Sequence, residues 1–505
     1  MQVHLGNGPD HPKVRQALSK YLLEVILNIV KKILLGSIAG LTAVAGAQAA
    51  DLPVKAKPVE YVKVCSAYGS GFYYIPGTDT CLRVGGYVRV DSYVNGVGTF
   101  NPTISAAAGT GFNGPGAGSS AFPFRDDDDG SYIVRSRAAL DLDARTQTDY
   151  GLLRSYARFG LNWDSQTAAG SGSGIGMYFE RAFFQFAGFT FGYTQSFFDP
   201  GINYAYTTLY SGSNMWTTAL AYTAQFGNGF SATVALEDPA NRITGIQATS
   251  AGAFNTTGLG YSSYQGGQQI PDVVGNLRID QAWGSAQLSA AAHQVRSMTP
   301  VGVAGTTFIG QNSDDTWGWA LGGAVEIKLP VIAPGDSIFL QANYADGAIS
   351  YAGLSGNVQG RAAALGSIDL GSNLLSSSGA FYPLADAVWN ANTLSYSTVT
   401  AWSLQGQFRH FWTPGLRSAV FGGYSDVQVP DNTVGAMDVN MWQAGINTIW
   451  SPVKNLDLGV EVLYSKVNGE APLNNYLTNG TGSPLALAGG STDVWSGGFR
   501  AQRAF

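Results

Sequence analysis

Arg83, Arg89, Asp91, Arg135, Arg137, Asp141, Asp143, Arg145, Arg154, Arg158 and Arg181 fall in four short segments, and within each segment they are an even number of positions apart. In an extended chain alternate side chains point the same way, so each set shares one face of a strand. A guanidinium stays charged at any accessible pH and grips carboxylates or phosphates by forked hydrogen bonds. Aligned in rows, such groups filter solutes by charge; they are poor proton shuttles. One reading has them hydrate a polar wall and pair with Asp141, Asp143 and Glu180. The functional reading makes Arg83, Arg89, Arg135, Arg137, Arg154, Arg158 and Arg181 one side of a constriction. The other side would come from TQSFFDPGINYAYTTLYSGSNMW, which carries Asp199 at a Pro-Gly turn and Phe197, Phe198, Tyr204 and Tyr206 as anchors. After residue 50 the only histidines are His293 and His410. Neither has the neighbours of a catalytic triad or the spacing of a metal site, so no enzyme, metal or cofactor is expected.

These charges need a scaffold of strands. Sixteen alternating stretches run from about 82–94 to about 492–505, and their connections are long and short in strict alternation. The short ones include Gly188, Gly227-Asn228, Gly284 and Pro414; the long ones include 95–131, 197–215, 238–271 and 346–397. A sandwich or propeller has no reason to alternate in this way, whereas a transmembrane barrel has short turns on one rim and loops on the other. Within strands, Leu456, Leu458, Val460, Val462 and Tyr464 oppose Asp457, Gly459, Glu461 and Ser465, so charge is confined to one face. The expected fold is therefore all-β, a 16-stranded antiparallel transmembrane β-barrel with its third long loop folded inward. A barrel of that size is too wide for side chains to fill and encloses an aqueous lumen. Tryptophans such as Trp402, Trp412, Trp442, Trp450 and Trp495 near strand ends suit interfacial girdles.

Composition agrees with export. Of 505 residues only 12% are charged, and no apolar run in the body reaches the ~20 residues of a spanning helix. Lys31-Lys32, the apolar run from Ile33 to Ala45 and Ala47-Gln48-Ala49 form a signal peptide cleaved after Ala49. Residues 1–29 do not suit a signal and are read as an upstream mis-start, with translation from Val30. Residues 50–81 are read as a periplasmic segment and 82–505 as the barrel. Removal of residues 1–49 takes five basic and two acidic side chains, leaving 23 basic against 32 acidic and a net charge of −9. This balance offers no basic stripe for nucleic acid. Cys65 and Cys81 would meet an oxidising compartment, and a disulfide between them would close a loop of roughly 15 residues, worth about 3 kcal/mol in the chain-entropy model. Two buried thiols are the alternative. The acidic run Asp126 to Asp129 is a solvated loop or a cation site bridging lipopolysaccharide.

The segments KPVEYVKVCSAYGSGFYYIPGTDTCLRVGGYVRVDSYV, VRSRAALDLDARTQTDYGLLRSYARFG and AFFQFAGFTFGYTQSFFD, with the ending FRAQRAF, resemble the trimeric general porins of alphaproteobacteria, the rhizobial and Brucella-type group. The resemblance covers essentially the whole mature chain. It implies a homotrimer in the outer membrane, passive diffusion of small hydrophilic solutes and ions, a third loop that narrows the pore, and Phe505 as the terminal aromatic read by the barrel-assembly machinery. Arg503 departs from the pattern, because it shares a face with Phe499 and Phe505. Rival readings are a sugar- or anion-selective channel, a plugged transporter, which would need a folded plug and more strands, and a structural barrel with a blocked lumen. Peptide mapping of the cellular protein should begin at Ala50 and find no peptide from residues 1–29; any such peptide overturns the start assignment.

Overall fold

In a computed structural model, residues 62–505 form one unit. The structure describes residues 63–94, 132–165, 173–248, 266–296, 315–353, 385–390, 395–430, 438–470 and 490–505, with short loop strands between them. The signal region, Asp126 to Asp129 and most of the loop 346–397 lie outside the described residues.

Sixteen strands make the barrel: β1 (Cys81–Val94), β2 (Tyr132–Thr148), β3 (Gly151–Asp164), β4 (Gly174–Phe186), β5 (Phe189–Gln195), β6 (Trp216–Gly227), β7 (Phe230–Glu237), β8 (Asp272–Gln281), β9 (Gly284–Val295), β10 (Thr316–Lys328), β11 (Ser337–Asp346), β12 (Thr400–Thr413), β13 (Leu416–Gln428), β14 (Asp438–Val453), β15 (Leu456–Glu470) and β16 (Gly490–Ala504). Each pairs antiparallel with its sequence neighbours, and β1 also pairs with β16 from Tyr87↔Ala504 to Val94↔Gly497, which closes the sheet. Closure is what lipid demands, because an open edge would leave backbone groups without partners in hydrocarbon. Phe505 extends the closure: its amide and carbonyl exchange hydrogen bonds with Gly86 at 3.0 and 3.3 Å.

The turns on one rim are as tight as expected. Asn228 and Gly229 both take positive φ, 50° and 73°, the pattern of a two-residue hairpin turn whose twist matches the strands. The barrel wall sorts by parity. Val84, Val88 and Val90 of β1 and Val460 and Val462 of β15 are exposed outward, while Asp91, Asp143, Glu461 and Ser465 are buried inward. On the loop side, Trp319–Tyr344, Trp402–Tyr424, Trp442–Tyr464 and Tyr464–Trp495 pack as tilted pairs with ring centres 4.9 to 5.4 Å apart, forming an outer aromatic girdle across β10 to β16.

Cys65 and Cys81 are joined in a disulfide, with Cα atoms 6.0 Å apart. It pins a small hairpin, in which Tyr73 and Tyr74 pair with Leu82 and Cys81, to the start of β1. Above the barrel, Gly245–Ala248, Ala385–Asn390 and Ser395–Thr398 form a small sheet that ties the fourth long loop to the sixth. Val460 faces outward near the middle of β15, so Val460→Arg should cost about 2 to 4 kcal/mol. Reversible unfolding in lipid vesicles measures this, and an unchanged stability would contradict the assigned lipid face.

Candidate functional site

The inward faces of β1 to β4 carry the arginines, and strand register sets their partners. The pairing places Arg83 opposite Asp143, Asp91 opposite Arg135, Asp141 opposite Arg158 and Arg135 opposite Asp164. Arg158 grips Asp141 by Nε and Nη2 at 2.6 and 2.8 Å and reaches Glu180 with Nη1 at 3.0 Å. Arg181 joins the same Glu180 at 3.2 Å. Arg135 forks onto Asp164 at 2.6 and 2.7 Å, and Arg137 donates to Asn162 at 2.6 Å. Asp143 receives Arg145 and Arg154, with Arg83 at 3.8 Å.

A further arginine completes this wall from the other end of the chain. Arg500 of β16 donates to Asp91 at 2.6 and 3.3 Å, beside Arg89, which meets the same carboxylate at 2.9 Å. Nine arginines thus face five carboxylates (Asp91, Asp141, Asp143, Asp164 and Glu180), a surplus of four positive charges on one wall. The carboxylates hold the guanidiniums in place without cancelling their field. Arg500 was legible in principle: period two from Gln502 turns it inward, away from Phe499.

The opposite wall is lined mainly by amides and hydroxyls, with the carboxylates of Glu326 and Glu461 among them, and the third long loop, residues 196–215, lies against it. Gln287 Nε2 donates to the carbonyls of Phe197, Phe198 and Asp199. The Tyr204 amide donates to Gln407 Oε1 at 2.7 Å, and its hydroxyl donates to Glu326 at 2.5 Å and accepts from Ser337 at 2.7 Å. Burial and Glu326 together hold that phenol well above its ordinary pKa, so it remains a donor. At the loop tip both Tyr206 and Thr207 donate backbone N–H groups to Glu461, at 2.5 and 2.9 Å. On the return path Tyr210 N donates to Gln443 and Gly212 N to Ser403. Glycines in the wall make room: a Cβ at Gly459 would overlap the Tyr206 hydroxyl, one at Gly423 the Ser211 side chain, and one at Gly322 the Phe198 ring. The tip reaches the arginine wall through Tyr206, which packs against Tyr93 of β1 and Ile133 of β2 and whose ring centre lies 4.3 Å from the Arg500 guanidinium.

The base of the loop is locked by buried charge. Asp199, expected at the constriction, instead bonds Arg242 at 3.2 Å and accepts from the Met215 amide, with its carboxylate fully buried. It anchors the loop and does not line the passage, because Arg242 from the fourth long loop draws it into the protein. Arg242 itself stacks 3.8 Å from the centre of Tyr351. His293 Nδ1 meets Asp272 at 2.7 Å, and Tyr351 donates to the other oxygen of Asp272 at 2.7 Å. Asp386 accepts from the amides of Thr244 and Ile349, so one network joins the third, fourth and sixth loops. Sequence reasoning missed Arg242 and Glu461, since neither has a partner nearby in the chain. Of the other arginines, Arg89 and Arg137 are nearly buried, while Arg83, Arg154, Arg158 and Arg181 keep side-chain surface open to the lumen.

Glu461→Ala should strand the Tyr206 and Thr207 amides at about 1 to 3 kcal/mol each. Hydrogen exchange across 204–212 should rise markedly, with a lower unfolding temperature; unchanged exchange would show that the tether does not hold the loop.

A family model described as "Porin subfamily" matches residues 51–496. Porin Omp2b of Brucella suis biovar 1 is 33% identical over 267 residues, and that of Brucella canis is 34% identical over 267 residues. Each alignment covers 51% of this chain and 64% of the relative, so it spans a little under two thirds of the relative's length. Among solved structures, the outer-membrane channel DcaP of Acinetobacter baumannii superposes with a TM-score of 0.52 at 16% identity, covering 86% of this chain and 99% of the other, a likeness of fold alone.

Proposed function

The chain belongs to the porin subfamily, a multi-pass barrel family of the Gram-negative outer membrane, and on that premise we propose that it forms a passive aqueous channel for small hydrophilic solutes and ions. One observation carries the reading. Arg83, Arg181 and Arg158 point into a closed barrel, yet their side chains keep 43%, 35% and 25% of their accessible surface. The third loop is packed against the far wall, so water occupies the space between it and the arginines. The narrowest part is bounded by the guanidinium wall and by the loop edge near Tyr206, with Arg89, Arg135, Arg137, Arg158 and Arg181 supplying or backing the field there and Arg83 and Arg154 lying nearer the short-turn mouth.

The same geometry favours a second reading on selectivity. The net charge of the chain is negative, but a solute at the narrows meets nearby charges, since those farther than a Debye length of about 8 Å are screened in physiological salt. The wall there has surplus positive charge, and the loop brings no free carboxylate because Asp199 is consumed by Arg242. A preference for anions follows. Assembly as a homotrimer, docking of the outward faces on lipid and lipopolysaccharide, and recognition of Phe505 by the barrel-assembly machinery complete the proposal. Phe505 suits that role in being aromatic, 62% exposed and bonded through its backbone to Gly86 at the closing seam.

In a planar bilayer the protein should conduct in steps of three, without saturable block by sugars. In a potassium chloride gradient the reversal potential should have the sign of anion preference, and Arg158→Gln with Arg181→Gln should move it toward cations. No conductance would overturn the channel, and cation preference would overturn the charge assignment.

A further inference from the structure

The arginine wall is not uniform. Three of its guanidiniums, Arg83, Arg145 and Arg154, gather around the single carboxylate of Asp143. Arg145 bonds it at 3.1 and 2.9 Å and Arg154 at 3.0 and 3.1 Å, two full forks that use up the carboxylate, whose side chain is 1% exposed. Arg83 comes only to 3.8 Å, too far for a hydrogen bond, and stays 43% exposed, so its donors face water. Three cations against one anion leave two positive charges in a small volume.

Aromatic rings flank this cluster on two sides. The Phe72 ring centre lies 4.8 Å from the Arg145 guanidinium and 5.3 Å from that of Arg83, with Tyr68 5.7 Å from Arg145. On the other side Arg154 lies 5.2 Å from Tyr156 and 5.7 Å from Phe183, whose rings stack on each other at 5.5 Å. Phe72 and Tyr68 belong to the hairpin ahead of β1. Phe72 is 3% exposed, is packed with both cysteines, and accepts at its carbonyl from the Cys65 amide at 2.9 Å. The disulfide therefore fixes the rings that hold two of the guanidiniums. Arg83 and Arg145 sit at the ends of β1 and β2 nearest the short Asp149-Tyr150 turn, which places the cluster at the short-turn mouth, away from the loop constriction.

We propose that Arg83, Arg145 and Arg154 form a binding site at this mouth for a small dianion bearing carboxylate or phosphate oxygens. The two surplus charges match a dianion, and Arg83 offers free donors at the rim. The rings keep the guanidiniums from swinging onto other partners, so little order is lost on binding. The site rests on the channel reading for access through the lumen, but its occupancy can be read without conductance.

The test is thermal unfolding of the detergent-solubilised protein at matched ionic strength, in chloride and in increasing inorganic phosphate at pH 8, where phosphate is a dianion. Phosphate should raise the unfolding temperature in a saturable way, as any ligand of the folded state does. Arg83 makes no hydrogen bond among the described residues, so Arg83→Gln should fold normally; it should shift the half-saturating phosphate about tenfold upward, as should Phe72→Ala. Succinate should act like phosphate if the site reads paired charge, and fail if it reads phosphate alone, which would confine the ligand class. No saturable shift in the native protein, or an equal shift in Arg83→Gln, overturns the site. Parallel bilayer recordings separate the two readings: conductance in chloride without the phosphate effect leaves the channel standing and removes the site, whereas the phosphate effect without conductance removes the channel and keeps the site.

Discussion

A peptide group in hydrocarbon has no water to turn to, and that single requirement organises this molecule. Sixteen strands satisfy it only by closing β1 onto β16. Once closed, the wall has an inside and an outside that alternate at every residue, and the cost of a charge in lipid sorts side chains between them. The valines of β1 face outward and its arginines inward because no other register is affordable. Ion pairs across strands, such as Arg158 with Asp141, then reinforce the register that the lipid imposes.

The lumen so formed is divided by chemistry. On one side fixed carboxylates hold more arginines than they neutralise; on the other, glutamines, asparagines and serines, joined by Glu326 and Glu461, offer hydrogen bonds. A loop with many free backbone amides and few charges docks on the second wall and avoids the first. Glu326 and Glu461 accept from its tyrosine hydroxyl and tip amides, and glycines in the wall receive its bulkier side chains. The asymmetry of the passage is thus a consequence of which wall the loop can satisfy. The buried network of Asp199, Arg242, Asp272, His293, Tyr351 and Asp386 secures the base of the loop and links it to two other loops.

How much of this could be read beforehand differs between elements for physical reasons. Strands with one face in lipid, such as β10 and β15, announce themselves by strict alternation, and the tight turns by their glycines, although the turn expected at Gly227-Asn228 sits one residue on, at Asn228-Gly229. Their boundaries in the structure lie within a few residues of those expected. The disulfide followed from compartment and spacing. Asp199 misled, because a carboxylate at a Pro-Gly turn looks exposed until Arg242, 43 residues on, is seen to reach it. Arg500 went unnoticed among the pore arginines, since its neighbour Asp91 is 409 positions away in the chain.

The sequence by itself determined what depends on local period and composition: the all-β class, the strand number, the direction most wall side chains face and the concentration of arginine on the first four strands. These are properties of single segments meeting a layered solvent, lipid outside and water inside, so neighbours along the chain suffice to define them. Only the tertiary structure decided which charges neutralise one another, where the third loop lies and which guanidiniums remain open to water. Those outcomes depend on groups brought together by barrel closure across hundreds of residues, and electrostatic and hydrogen-bond energies are set by distances of a few ångströms that sequence separation does not encode.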